Sequence, residues 1–456
     1  MENQLFDKNQ FISIEYSVFL KNTELGKLYS AIPFAEIIEK IPPSIRENKK
    51  NGPNSRIGIK GGVALMFLKS YTSLSDKKLV ERLNTDYAFQ LFCGIRLKPG
   101  EWIHDEDLVG RWRRLLAPFI EANGYKEIQE ALAASWKSNM EETFACFMDA
   151  TCYESSVRFP TDVKLLWESC RDLNRLISGW GKRKGYSHLT KLFEERSTVY
   201  LGYSKSRKKT YKATQKQKKS LLNLLEKMLS YVKIHRADKE KKVIVNHWFS
   251  KRIETIETVF LQQKAMYESG EKSVKDRIVS LSKPYVRPIV RGKETKRVEF
   301  GAKVHKMQVN GISFIERIDF DAFNEGTLLQ NTVALHNRLF DKCTILGADA
   351  IYATNANRSY CSDRKMATNF VPKGKRPADA TKNSQASKMR ELIGKERATV
   401  LEGSFGTEKE HYNLKTIKAK RKDTEMLWIC FGIWTCSAMK IARRIAAQGF
   451  QKNKAA

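Results

Sequence analysis

FACFMDATCYE, residues 144–154, is the stretch on which the reading of this chain turns. An apolar run from Phe144 to Met148 stops at a single carboxylate, Asp149, and the small and hydroxylated residues Ala150 and Thr151 follow. A buried strand that delivers one acid at its end mounts a metal ligand on a rigid element. The same residues also suit an Asp that opens a turn. Taken alone, the stretch leaves both readings open.

Two later stretches bear on the choice. CTILGADAIYATNANRSY, residues 343–360, repeats the logic: an apolar strand from Cys343 to Leu346, then Gly347, Ala348 and the acid Asp349. The 200 residues separating positions 149 and 349 leave ample chain for the two strands to lie side by side. In TVLEGSFGTEKEHY, residues 399–412, Glu402 and Lys409 are seven apart. On a helix that spacing is about two turns, placing both side chains on one face roughly 10 Å apart. A plain surface helix has the same pattern, and Gly403 and Gly406 weaken any helix there.

At 456 residues the chain exceeds one ordinary domain, and 41% hydrophobic with 10% aromatic residues supplies a sizeable core. Its 82 Lys+Arg against 51 Asp+Glu give a net charge of +31. That surplus attracts polyanions: nucleic acid first, since neutralising phosphates releases counterions, and a membrane surface second. The eight cysteines form no CxxC and the seven histidines do not cluster around them, which argues against structural zinc and for free thiols in a reducing cytosol. The opening MENQLFDKNQ has no signal-peptide character, and the longest apolar run, Met426 to Trp434, is far short of a membrane span. A soluble, cytoplasmic, nucleoid-associated protein with no membrane partner is expected.

Apolar spacing makes residues 12–50 helical, with Pro42–Pro43 as a stop, and residues 57–116 a better organised helical set. VALMFLKSY (63–71) is an apolar helix core, and Ser75 is the N-cap of a helix burying Leu79, Val80 and Leu83. DEDLVGRWRRLLAPFI (105–120) is a helix from which Arg111, Arg113 and Arg114 project. A basic face of this kind suits DNA in helix-turn-helix style, and equally an ordinary helical domain with solvated charges. Residues 177–220 hold 13 Lys or Arg and two Glu, interleaved with Trp180 and four tyrosines, a pattern for backbone contact with nucleic acid. A helical block follows at 219–265, then two or three strands between Arg297 and Phe320, a helix over TLLQNTVALHNRLF, a loop-rich stretch from 353 to 397 with a short SKMRELI helix, and a C-terminal helix.

Asp149 in MDAT, Asp349 in GADAIY and Glu402 in LEGSFGTEK together resemble the Asp-Asp-Glu (DDE) triad of bacterial insertion-sequence transposases. DATCYESSVRFPTDVKLL, KPYVRPIVRGKETKRVEFGAKV and ALMFLKSYTSLSDKKLVERL also resemble one group of them, with an InsH-type N-terminal domain, and the likeness covers residues 25 to 445. The resemblance implies an α/β fold: an RNase H-like mixed-sheet catalytic core at 141–450, a large basic helical insertion at 165–285, and an all-α DNA-binding domain at 1–140. It implies two Mg²⁺ or Mn²⁺ ions on the three acids, Asp149 bridging both, Asp349 holding one and Glu402 the other. Lys409 and Lys303 would contact DNA phosphates, with Arg397 beside them. Many relatives carry an Arg four positions before the Glu; here position 398 is Ala and the nearest arginine, Arg397, is five back. His305 is available as a general base, although metal-activated water does not require one. The implied partners are double-stranded DNA, as terminal inverted repeats and target, and a second copy of the chain in a homodimer or larger complex. An RNase H-like nuclease without strand transfer, or a transposase-derived DNA-binding protein that no longer cuts, are the competing readings.

Overall fold

The structure, a computed structural model, describes residues 8–46, 57–180, 186–237, 246–290, 298–374 and 380–455. The strands are β1 (Ala145–Glu154), β2 (Pro288–Val290), β3 (Val298–Val309), β4 (Ile312–Asp319), β5 (Ile345–Gly347) and β6 (Ala367–Thr368). They form a mixed sheet ordered β2-β3-β1-β5-β6, with β4 also on β3. β1 runs parallel to β5, Ala145 opposite Ile345 and Phe147 opposite Gly347, and β5 runs parallel to β6. β3 and β4 are antiparallel. Their turn is Asn310–Gly311, both at positive φ (46° and 75°), the backbone that Asn-Gly hairpins require.

The expected boundaries shift at two acids. β1 does not end at Asp149 but continues to Glu154, because Thr151, Cys152 and Tyr153 are β-favouring and buried. Asp149 therefore sits in mid-strand. β5 is only three residues long, and Asp349 lies beyond its end as N-cap of the short turn Ala350–Tyr352. Gly347 ends β5 under Phe147, whose ring would stand 2.4 Å from an added Cβ.

Two compact units result. The first comprises Met1–Ser155, Ala302–Asp319 and Phe323–Ala456. In it the N-terminal helices, the sheet and the C-terminal helix Lys422–Ala455 share a core. Ser75 caps the helix Asp76–Thr85, accepting from the Lys78 amide at 3.3 Å, and Leu79, Val80 and Leu83 are buried. The apolar run Met426–Trp434 is the middle of the C-terminal helix, where Phe431 meets Phe67 at 5.0 Å between ring centroids. Among the described residues no helix is long and apolar enough to cross a membrane. The eight cysteines are free and buried. Gln129, on the helix Tyr125–Trp136, accepts from the Ile315 amide at 2.5 Å and donates to the Ile315 carbonyl at 2.9 Å. Its side chain thus pairs the backbone of β4 where no strand does, protecting an edge.

The second unit comprises Ser156–Gly301 and Phe320–Ala322. Its helices Asp162–Ser178, Tyr186–Lys205, Tyr211–Ala237 and His247–Ser269 enclose Leu166, Cys170, Leu225, Met228 and Ile256. Of the interleaved aromatics, Tyr200 stacks on Trp167 at 4.6 Å and Tyr203 hydrogen-bonds Thr214, whereas Tyr211 is exposed.

Candidate active site

Successive side chains on one face of a strand are two residues apart. On β1 the face of Ala145, Phe147, Asp149, Thr151 and Tyr153 looks onto one helical run, Ala380–His411. Ala145 and Phe147 pack with Ile393 and Leu401. Asp149 Oδ2 accepts from Arg397 at 3.0 Å, Thr151 Oγ1 accepts from Lys409 at 3.1 Å, and the Tyr153 hydroxyl donates to Glu408. A short helix in an otherwise looped stretch is therefore replaced by an extended one. Residues Ala380–Glu396 are α-helical, Arg397–Glu402 form a π turn, and Gly403–His411 are α-helical again.

The π turn bears on the departure at Arg397. In an α-helix residues four apart share a face; in a turn wound by i to i+5 hydrogen bonds, residues five apart do. Arg397 and Glu402 are five apart, and Arg397 Nη2 lies 3.2 Å from Glu402 Oε1. One guanidinium thus joins Asp149 to Glu402. Asp349 does not share that cation; its Oδ1 accepts from the Ala350 amide at 2.6 Å and its side chain is exposed. Its charge nonetheless reaches Asp149. Burial raises the Asp149 carboxyl above its ordinary value, the Ala150 amide and Arg397 pull it back, and the charges of Glu325 and Asp349 push it up further.

Lys303 is engaged elsewhere: its Nζ is 2.7 Å from Glu325 Oε1 and donates to the Phe323 carbonyl at 2.8 Å. Glu325 and Tyr352 are neighbours that the linear sequence does not flag. Tyr352 is fully buried and its hydroxyl has no hydrogen-bond partner among the described residues. Burial, then the charges of Glu325, Asp149 and Asp349, push that hydroxyl far above its ordinary pKa, so it stays protonated. The close turn that carries Glu325 depends on Gly326, where a Cβ would meet the Ile351 carbonyl at 2.7 Å. His305 is wholly buried, 5.7 Å from the Tyr352 ring, with Nδ1 3.5 Å from Glu316; that is a core position.

The three arginines of residues 105–120 do not all project. Arg113 is 8% exposed; it makes a two-armed pair with Asp76 (3.0 and 2.8 Å) and lies 4.8 Å over Trp428. Its place on the inner face of Leu108–Phe119, with Trp112 and Leu116, is a core position, which corrects the expectation that it projects from the helix. Arg111 and Arg114 are on the solvent side, paired with Asp105 and Asp107.

The donor set is chemically right for a hard divalent cation: carboxylate oxygens, two of them already sharing a cation. As the side chains stand, no group of three or more His, Cys, Asp or Glu among the described residues is assembled to hold a metal. Asp149 and Glu402 are closed on Arg397 instead.

Residues 13–115 match the model of a family described as "Transposase domain (DUF772)". The chain is 27% identical over 140 residues, 30% of its own length and 68% of the other protein's, to "Uncharacterized protein ORF8 in nfe locus" of Rhizobium meliloti. No solved structure matches. The match over residues 13–115 supports a transposase family in general.

Proposed function

We propose that this chain is the DNA-cleaving and strand-joining transposase of an insertion sequence, with an RNase H-like catalytic core. The observation that carries the reading is the parallel pairing of β1, which carries Asp149, with β5, which ends two residues before Asp349, together with the Arg397 guanidinium that pairs with both Asp149 and Glu402. Strand order, the antiparallel β3/β4 hairpin and the parallel β1-β5-β6 set support the core assignment, and the family likeness of residues 13–115 supports the role.

Asp149, Asp349 and Glu402 would hold two Mg²⁺ or Mn²⁺ ions, which supply charge stabilisation for the attacking and leaving oxygens of an in-line displacement at phosphorus. The chain's own residues do the rest. β1 holds Asp149 rigidly, and Tyr352 is a buried, neutral side chain within electrostatic reach of Asp149 and Asp349. Lys409, steadied by Thr151, and Arg397 present cations to the scissile strand, with Lys303 behind Glu325. The exposed Arg111 and Arg114 and the basic helices of the second unit would bind duplex backbone, the all-α region 1–140 serving as the DNA-binding domain and 165–285 as the insertion. The second cut end calls for a second copy of the chain.

The test is incubation of the purified chain with Mg²⁺ and a duplex carrying the element's terminal inverted repeat, beside a second duplex as target. Joined products are expected. Cleavage with no joining would identify a nuclease instead, and neither with intact binding would identify a non-cutting DNA-binding protein.

A further inference from the structure

Two carboxylates brought close together repel one another unless a cation stands between them. In this chain that cation is covalently part of the fold. Arg397 is 14% exposed, Asp149 17% and Glu402 55%, and among the described residues no other cation pairs with either Asp149 or Glu402. The guanidinium divides its planar fork, Nη1 to Asp149 Oδ2 at 3.0 Å and Nη2 to Glu402 Oε1 at 3.2 Å. It is held there by the π turn, which faces residue 397 toward residue 402. Asp149 and Glu402, whose carboxylates it occupies, are two of the residues that the proposed acid site assigns to divalent cations.

We propose that Arg397 is a gate on the acid site: its guanidinium stands in for the divalent cation that Asp149 and Glu402 would share, and it must swing out before that cation enters. The inference rests on the proposed acid site. An Arg fork released from two carboxylates is matched to a phosphate, where it makes the same paired hydrogen bonds. A DNA strand laid along the site would therefore draw Arg397 off the acids and open them. Since coupling between two ligands is reciprocal, divalent metal would tighten DNA as much as DNA tightens metal. The chain by itself would be a poor metal binder, and the site would assemble only on its substrate.

The experiment is Mn²⁺ titration of the full-length chain without DNA, followed by the loss of the free-ion electron paramagnetic resonance signal. Arg397→Ala is expected to bind Mn²⁺ about tenfold or more tightly than the wild type, the scale on which one charged hydrogen-bonded competitor acts. Arg397→Lys, with a charge but no fork, should fall between. Combining Arg397→Ala with Asp149→Asn should remove the gain. If Arg397→Ala does not fold, Arg397→Gln, of similar reach but uncharged, serves in its place. Affinity equal to or weaker than wild type in the Arg397 variants, with Mn²⁺ still lost on Asp149→Asn, overturns the gate and leaves the acid site standing. Binding that ignores Asp149 altogether overturns both.

Discussion

Lys306 and Glu408 pair at 2.5 Å with both side chains wholly out of water. Burial drives the Lys306 ammonium below its ordinary pKa, and the Glu408 charge works against that shift. Ser404 and Ser313 accept from the same ammonium at 3.0 and 3.2 Å, and Tyr153 donates to the other Glu408 oxygen. The network ties the helix Gly403–His411 to β1, β3 and β4, and so fixes where Glu402 and Lys409 point. It also offsets the helix-weakening glycines Gly403 and Gly406, about 1 kcal/mol each. Breaking the pair from one side should be severe: Glu408→Leu leaves a buried ammonium and is expected to cost about 3–5 kcal/mol in urea unfolding, whereas Glu408→Leu with Lys306→Met should recover most of it. Single and double variants of equal stability would show that the pair is not desolvated.

Asp149→Asn keeps the shape of the side chain and removes its charge. Mg²⁺-dependent cleavage should fall by about 100-fold or more, beyond the 10–100-fold typical of changes outside the metal's own ligands. Duplex affinity in a mobility-shift assay should hold. A variant that cuts like the wild type would remove Asp149 from the proposed triad.

Deleting Ala398 tests the π turn. One residue fewer lets Arg397–Glu402 relax to an α-turn, leaving Arg397 four before the acid on the same face, with the flanking helices still in register. The deletion should keep circular dichroism, unfolding temperature and cleavage near wild type. Deleting one residue elsewhere in the helix, at Ser387, turns the following face by about 100° and should abolish activity. Equal damage from both deletions would contradict the register argument.

Asp76 links fold stability to pH. Burial acts to raise its carboxyl, but Arg113 and Lys69 outweigh it and hold the group below the ordinary Asp value. A carboxyl depressed in the folded state contributes stability that is fully present above the unfolded pKa of about 3.9 and is lost as pH falls through the folded value. Acid unfolding of the wild type should steepen below about pH 4, and Asp76→Asn should flatten that region while lowering the unfolding temperature at pH 7 by leaving Arg113 without its charge partner. An unchanged acid transition would mean that the pair does not bear on stability.

Binding to duplex DNA should weaken by about 10³-fold or more between 50 and 200 mM salt, as contact with six or more phosphates requires. A flat response would count against backbone contact by the basic helices.

Much of the architecture was legible in local pattern. The apolar spacing behind Ser75, the Asn-Gly hairpin, the strand at Ala145 and the C-terminal helix all follow from nearest neighbours, whose preferences a linear sequence carries. The three acids of the proposed site were singled out by their resemblance to a triad. What those acids touch was not. The length of β1 past Asp149 and the continuous helix over Ala380–His411 depend on the face each presents to the other. The burial of Arg113 follows from Asp76 and Trp428, partners 37 and 315 positions away. The bridge from Asp149 to Glu402 depends on a π turn that no local propensity announces. Sequence by itself determined which charged groups the chain possesses; only the tertiary structure decided which are spent on one another, because ion pairing depends on distances that packing sets.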